Sequence, residues 1–170
     1  MLGFLFRRLT AEQASGVALF DALTGEARQK HWYVEGQVPD SLDGRFAVLA
    51  TLTAIANVRL ESDALEGERL SVALAERFIH VMESEHREFG IGDPALGRTV
   101  RKLVAMLAKR TGLWRSVRED GGDKATATRE SLYRDEPPAA ALEHSAAALA
   151  AFAERLDGVR LTDLERGMLQ

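Results

Sequence analysis

The 170-residue sequence contains no cysteine. Disulfide bonds, thiolate zinc sites and cysteine nucleophiles are therefore excluded, and a reducing compartment is compatible with the chain. The Gly-x-Ser-x-Gly, Walker and Gly-x-Gly-x-x-Gly motifs are also absent, and each of them depends on a strand that precedes the glycine-rich turn. Because no catalytic candidate stands out, we expect a protein that is not an enzyme and has no cofactor.

The apolar run at the N-terminus is short. The stretch MLGFLFRRL places its apolar residues before Arg7 and Arg8, which reverses the order of a secretory signal and is too short to cross a bilayer. The formal net charge of −4 provides no overall attraction to nucleic acid. We therefore expect a soluble, cytoplasmic protein with no specific DNA partner.

Apolar residues recur at a helical period through most of the chain, and no segment alternates with a period of two. This pattern predicts an all-α, single-domain bundle of about six helices over residues 1–170. The longer helices are expected at about 11–30, 40–60, 67–89, 94–111 and 138–156. The second is apolar over more than half of its circumference, which indicates a central position. We expect a mobile connection over 119–136, with a short helix in it, before the C-terminal helices of 137–170.

The segment VPDSLDGRF, Val38–Phe46, has the residues of a helix start. Pro39 discourages helix before it, Asp40 can cap, and Asp43 suits the positive end of the helix dipole. Gly44 in a first turn costs about 1 kcal/mol relative to alanine, so we expect it to admit another part of the chain at close range. Arg45 lies on the apolar side of the pattern, which predicts a buried pair with a carboxylate or a position at a groove edge.

A basic run occupies the fourth predicted helix and its continuation. Residues 98–118 contain seven Arg or Lys and no Asp or Glu: Arg98, Arg101, Lys102, Lys109, Arg110, Arg115 and Arg118. On a helix, Arg98, Lys102 and Lys109 share a face opposite Leu103 and Leu107. Such a face suits phosphate, lipid head groups or an acidic protein. A solvated face that is neutralised by nearby glutamates is the alternative.

One metal-like pattern is present. Glu83 and His86 form an E-x-x-H pair, the helical unit that di-iron carboxylate bundles use twice. It occurs once here, on a polar stretch typical of a solvated helix face, so we predict no metal site. A helical metal–carboxylate enzyme stays open as an alternative, as does a helical protein that binds RNA or the ribosome.

Two motifs carry a resemblance to a known family. V-P-D-x-L-D-G-R-F at Val38–Phe46 and R-E-x-G-x-G-D at Arg87–Asp93 resemble, in order and separation, the ubiquinol-cytochrome c chaperone family, assembly factors of the cytochrome bc complex (respiratory complex III). The resemblance covers about residues 16–118. It implies an all-helical, non-enzymatic chaperone whose client is newly made cytochrome b, or another complex III subunit. It also implies work at the inner membrane and, as in mitochondria, a small helper protein at the ribosomal tunnel exit.

On this resemblance we expect the two motifs to shape a partner-binding groove. Its residues are predicted to be Tyr33, Pro39, Asp40, Leu42, Asp43, Gly44, Arg45, Phe46, Arg87, Glu88, Gly90, Gly92 and Asp93. A separate basic surface of Arg98, Arg101, Lys102 and Lys109 is expected to face a ribosome or an anionic membrane.

Overall fold

A computed structural model describes residues 16–88 and 93–170, without the side chains of 85–88, 93–97 and 99. The described residues form helices joined by turns and short loops, with no strand among them. The helices are α1 (16–27), α2 (Leu42–Leu60), α3 (Ala64–Glu88), α4 (Asp93–Glu119), α5 (Lys124–Leu132), α6 (Ala139–Asp157) and α7 (Leu161–Leu164). Short 3-10 turns lie at Lys30–Trp32 and Glu61–Asp63. The prediction of an all-α single domain is confirmed.

Helix α2 is the centre of the bundle. Every residue from Ala47 to Leu60 is buried, and α3, α4, α5 and α6 all pack against this helix. Its polar side chains are mostly satisfied at close range: Thr51 donates to the Ala47 carbonyl at 2.7 Å, and Asn57 accepts from Ser71 at 3.1 Å. The broad apolar pattern of this segment therefore predicted its position correctly.

The C-terminal end of α2 is fastened by a buried arginine. Arg59 is 8% exposed, and its Nε and Nη2 donate to the carbonyls of Leu156 at 3.0 Å and Val159 at 2.9 Å. Its Nη1 donates to Asp63, and Asp157 lies 3.8 Å from Nε. The guanidinium thus has both carbonyl and carboxylate partners, and it joins the end of α2 to the end of α6.

Helix α4 is longer than the predicted 94–111. It continues through Gly112 to Glu119 because Trp114 is buried, at 4% exposure, and donates from Nε1 to the Ser131 hydroxyl at 3.3 Å. Glycine in a helix costs about 1 kcal/mol, and core packing outweighs that cost here.

The following segment contains α5, which Asp123 caps by accepting from the Ala125 and Thr126 amides at 3.1 Å. The mobility of 119–136 stays a prediction.

None of the helices in the described part of the chain is long and apolar enough to span a membrane.

A candidate partner-binding groove

The first turn of α2 is built by a serine cap and a pinned glycine. The cap is Ser41 and not Asp40: the Ser41 hydroxyl accepts from the Gly44 amide at 3.2 Å, the usual reach of a serine to the third residue of a helix. A Cβ on Gly44 would lie 1.9 Å from the Pro39 carbonyl oxygen. The expectation that Gly44 admits another part of the chain at close range is confirmed.

Arg45 is exposed, so the buried pair, one of the two alternatives predicted for it, is wrong. Its side chain is 60% exposed, its Nε lies 2.6 Å from Asp40, and its guanidinium carbon lies 6.0 Å from the centre of the Tyr33 ring. The hydrogen bond from Arg45 lowers the pKa of the Asp40 carboxyl. Pairing with a carboxylate was predicted correctly. Burial was not, because in the first turn of α2 only Gly44 is buried, and continuous burial begins at Ala47.

A groove of about 980 Å³ opens beside this first turn. Among the described residues, it is bounded by the end of α1, the chain from residue 28 to the start of α2, the middle of α4, and the chain from the end of α5 to residue 138, with Met82 from α3. Its apolar lining consists mainly of Leu42, Phe46, Leu49, Met82, Leu103, Met106 and Leu132. Phe46 packs on the buried ring of Phe78, with centroids 5.7 Å apart. The core therefore supports Phe46 on the side that faces away from the groove.

Most of the predicted partner residues of the first motif meet here. Lining the groove are Tyr33, Pro39, Leu42, Asp43, Gly44, Arg45 and Phe46, and Asp40 is joined to them through Arg45. The second motif cannot be placed in the same way: the side chains of Arg87, Glu88 and Asp93, and residues Gly90 and Gly92, lie outside the described residues.

The far wall of the groove was not foreseen from the sequence. It includes Met106, Arg110, Tyr133, Arg134 and the Pro137–Pro138 pair. Arg110 was visible only as a member of the basic run, and the two prolines only as a helix breaker. No local pattern indicated that these residues face the first motif.

Two contacts hold the 30–38 loop against α6. The Tyr133 hydroxyl donates to the Gly36 carbonyl at 2.6 Å and lies 2.7 Å from the Ser145 hydroxyl. Burial raises the pKa of Tyr133. His31 Nδ1 lies 3.1 Å from His144 Nε2, and burial, followed by the proximity of His144, lowers the pKa of His31. The sequence had not singled out this histidine pair.

Charges on the groove rim are largely paired with one another. Arg134 lies 2.7 Å from Asp43, and Lys109 lies 3.0 Å from Glu130. Together with the Asp40 pair, these contacts join three cations to three carboxylates around the groove. The walls are thus suited to an apolar partner more than to a highly charged one.

The four residues predicted to form a basic surface on α4 are all exposed. Arg98, Arg101 and Lys102 are exposed, and none of them forms an ion pair with the described residues. Lys109 is exposed as well but pairs with Glu130. Farther along, Arg115 bonds Glu61 and Arg118 bonds Asp157, so the neutralised alternative holds for these two residues.

No group of three or more His, Asp or Glu suited to a metal occurs within the part of the chain that the structure describes. Glu83 is part of that description, whereas the side chain of His86, its partner in the E-x-x-H pattern, is outside it.

Comparisons with known proteins agree with this architecture. The chain is similar in fold to a protein solved as the "Crystal structure of the Cbp3 homolog from Brucella abortus", with a TM-score of 0.76 and 24% sequence identity over 98% of this chain and 94% of that one. No curated protein sequence matches the chain. The model of the family described as ubiquinol-cytochrome C chaperone matches residues 34–170, a range that includes both motifs and continues through the C-terminal helices. Since that match covers most of the chain, the protein belongs to the ubiquinol-cytochrome C chaperone family.

Proposed function

We propose that this protein is a non-enzymatic chaperone for assembly of the cytochrome bc complex, and that its client is newly made cytochrome b. Family membership supports the chaperone role. The observation that carries the choice of site is the apolar groove beside the first turn of α2. The same surface is also compatible with two other partners: another complex III subunit as client, or a small helper protein.

The lining of the groove suits an apolar segment of a membrane protein. At about 980 Å³ it is at the upper end of small-molecule pockets, and its open form fits a peptide lying along it, as amphipathic helices do in apolar grooves. Met82 and Met106 are unbranched and adapt to different side chains. Leu42, 53% exposed at the rim, offers an apolar contact that no described residue covers.

A pulldown tests this proposal. Tagged protein, incubated with membranes solubilised in mild detergent, is expected to enrich cytochrome b. Leu42→Glu is expected to abolish the enrichment because it puts a charge into the apolar lining. Leu65→Glu is the matched control, since Leu65 is 59% exposed at the start of α3 and does not line the groove. Equal capture by both variants would exclude the groove, and no enrichment by the wild type would exclude cytochrome b as client.

A second proposal concerns the basic surface, redefined as Arg98, Arg101 and Lys102. Three exposed cations without described partners attract an anionic surface at low salt. Val104, 45% exposed on the same helix, provides an apolar contact of the kind that interfacial helices insert among lipid head groups. We therefore propose that α4 places the chaperone at an anionic membrane where its client is inserted.

Charge reversal tests whether this surface binds an anionic membrane or is only a solvated helix face. Changing Arg98, Arg101 and Lys102 together to Glu is expected to keep helicity, because exposed charges contribute little to stability, and to abolish sedimentation with vesicles containing anionic lipid. Reversal of Lys30, Lys124 and Arg166, which are exposed elsewhere, is the control. Equal binding by both triple variants would contradict the proposal. Loss of binding to ribosomes, but not to vesicles, would assign the surface to RNA.

The absence of enzymatic activity is part of the proposal and has its own test. Protein purified without chelator is expected to contain much less than one metal ion per chain. One bound iron or zinc per chain would instead favour the helical metal–carboxylate alternative.

A further inference from the structure

Arg110 differs from the other arginines of the groove. It lies in the middle of α4, partly buried against the groove wall. Its Nε and Nη2 donate to the Ser131 carbonyl at 3.2 and 2.8 Å, and its Nη1 donates to the Met106 carbonyl at 3.3 Å. A guanidinium carries five N–H groups, so one on Nη1 and one on Nη2 are left without a partner among the described residues.

No carboxylate of the described residues pairs with this guanidinium. Glu130, the acidic groove residue nearest to Arg110 in sequence, instead forms a salt bridge with Lys109 at 3.0 Å. Burial lowers the pKa of Arg110, with no opposing charge contribution. Arg59, which is buried in the core, has two carboxylates within reach. The comparison shows that Arg110 has hydrogen bonds but lacks a counter-charge.

The carbonyl partners account for only part of the compensation that Arg110 needs. Ser131 belongs to the last turn of α5, where unpaired carbonyls and the negative end of the helix dipole favour a cation. An opposite charge would offset the desolvation of this partly buried guanidinium more fully than carbonyls do. The apolar residues beside it, Leu103, Met106 and Leu132, strengthen any such pairing by excluding water.

We infer that Arg110 is the anchor for a carboxylate on the bound segment, so that the groove selects an apolar peptide carrying one acidic side chain. The inference rests on the proposed function because it places this anchor in the same groove. A carboxylate can accept one N–H from each Nη in the bidentate manner that arginine favours. The other arginines of the groove are less suited to this role, because Arg45 and Arg134 are exposed and already paired and Arg28 is exposed.

Binding of designed peptides tests the anchor directly. The probes are fluorescent 12-residue peptides of Leu, Ala and Phe with Gly-Ser flanks, in which one Glu is moved through the apolar positions, each with a Gln counterpart. The wild type is expected to prefer at least one Glu peptide by about tenfold over its Gln form, the lower end of the value of a hydrogen bond to a charged group. Arg110→Gln is expected to remove this preference, and Arg110→Lys to keep a reduced one.

The control is Arg134→Gln, an exposed groove arginine that should leave the preference unchanged. If a role in holding α5 were the whole function of Arg110, the substitution would lower the melting temperature without altering the Glu/Gln ratio. Equal affinity of the wild type for Glu and Gln peptides would exclude Arg110 as a carboxylate anchor, but it would not exclude the apolar groove as the binding site. A Glu preference that survives in Arg110→Gln would also overturn it. No binding of any peptide would overturn the groove itself.

Discussion

The two ends of α2 carry arginines in opposite situations. At the C-terminal end, Arg59 is buried and bonded to the carbonyls of Leu156 and Val159, far along the chain. At the N-terminal end, Arg45 is exposed and paired with Asp40, five residues before it. The C-terminal end of α2 is therefore held by buried contacts with α6. The N-terminal end is held mainly by local or exposed contacts, and it borders an open groove. If the proposed function holds, stability and binding lie at opposite ends of one helix.

The groove end is connected to the bundle in a different way. Instead of a permanently charged arginine, it depends on a tyrosine and two histidines: Tyr133 donates to the Gly36 carbonyl, and His31 lies against His144. Histidine titrates near physiological pH and arginine does not. The comparison therefore predicts that substitutions at the fastened end mainly lower stability, and that pH acts mainly at the groove end.

The largest effect is expected at the fastened end. Arg59→Met should lower the free energy of unfolding by about 3 kcal/mol, the lower end of the range for breaking a buried charge pair, because Asp63 and Asp157 keep some solvent contact. Urea unfolding measures the loss. Arg69→Met is the control, since Arg69 forms a more exposed pair with Glu66 and should change stability little. Equal losses for the two variants would remove the distinction between the ends.

Two glycine substitutions should act with opposite signs. In Gly44→Ala the new Cβ would lie 1.9 Å from the Pro39 carbonyl oxygen, so the first turn of α2 must shift, at a cost of about 1–3 kcal/mol. In Gly112→Ala nothing lies within 4 Å of the new Cβ, and the helix should gain up to about 1 kcal/mol. Thermal unfolding compares the two. Stabilisation by both substitutions would show that the Pro39 contact relaxes freely.

A smaller effect is expected from pH at the groove end. Because burial and His144 depress the pKa of folded His31 below 6.5, the unfolded chain takes up the proton first as pH falls. Stability should be complete above about pH 6.5 and decline as pH drops through the folded pKa. Glu26 and Glu35 raise this pKa, whereas Arg155 lowers it further.

Comparison of His31→Gln with wild type isolates this contribution. Stability is measured between about pH 5.5 and 7.5, where most carboxylates do not titrate. The slope with pH should be shallower in the variant. An unchanged slope would show that the His31–His144 contact does not control the acid response.

The smallest effect is expected for Arg45→Gln. The pair with Asp40 is exposed on both sides, at 60% and 56%, and exposed pairs contribute little. The unfolding midpoint should stay within experimental error of the wild type. A clear loss of stability would instead mean that the first turn of α2 is fastened as tightly as its last.

Local sequence determined the helices and the start of α2. Apolar periodicity, Pro39 and Gly44 act over a few residues, through helix geometry and sterics that do not depend on the rest of the chain. For this reason the central position of α2 and the close approach at Gly44 were predictable. The two motifs that carry the family resemblance are local in the same sense, although only the first lies among residues whose side chains the structure describes.

Tertiary structure alone decided which polar groups are buried and what faces the first motif. Arg45 and Arg59 both lie on α2, yet only the second meets α6. His31 and His144 are 113 positions apart, and Tyr133 reaches Gly36 across 97. Helical periodicity predicts the face on which a residue lies, but not where the core ends along that face or which distant chain covers it. Those depend on packing between elements, and packing placed Arg110 in the groove.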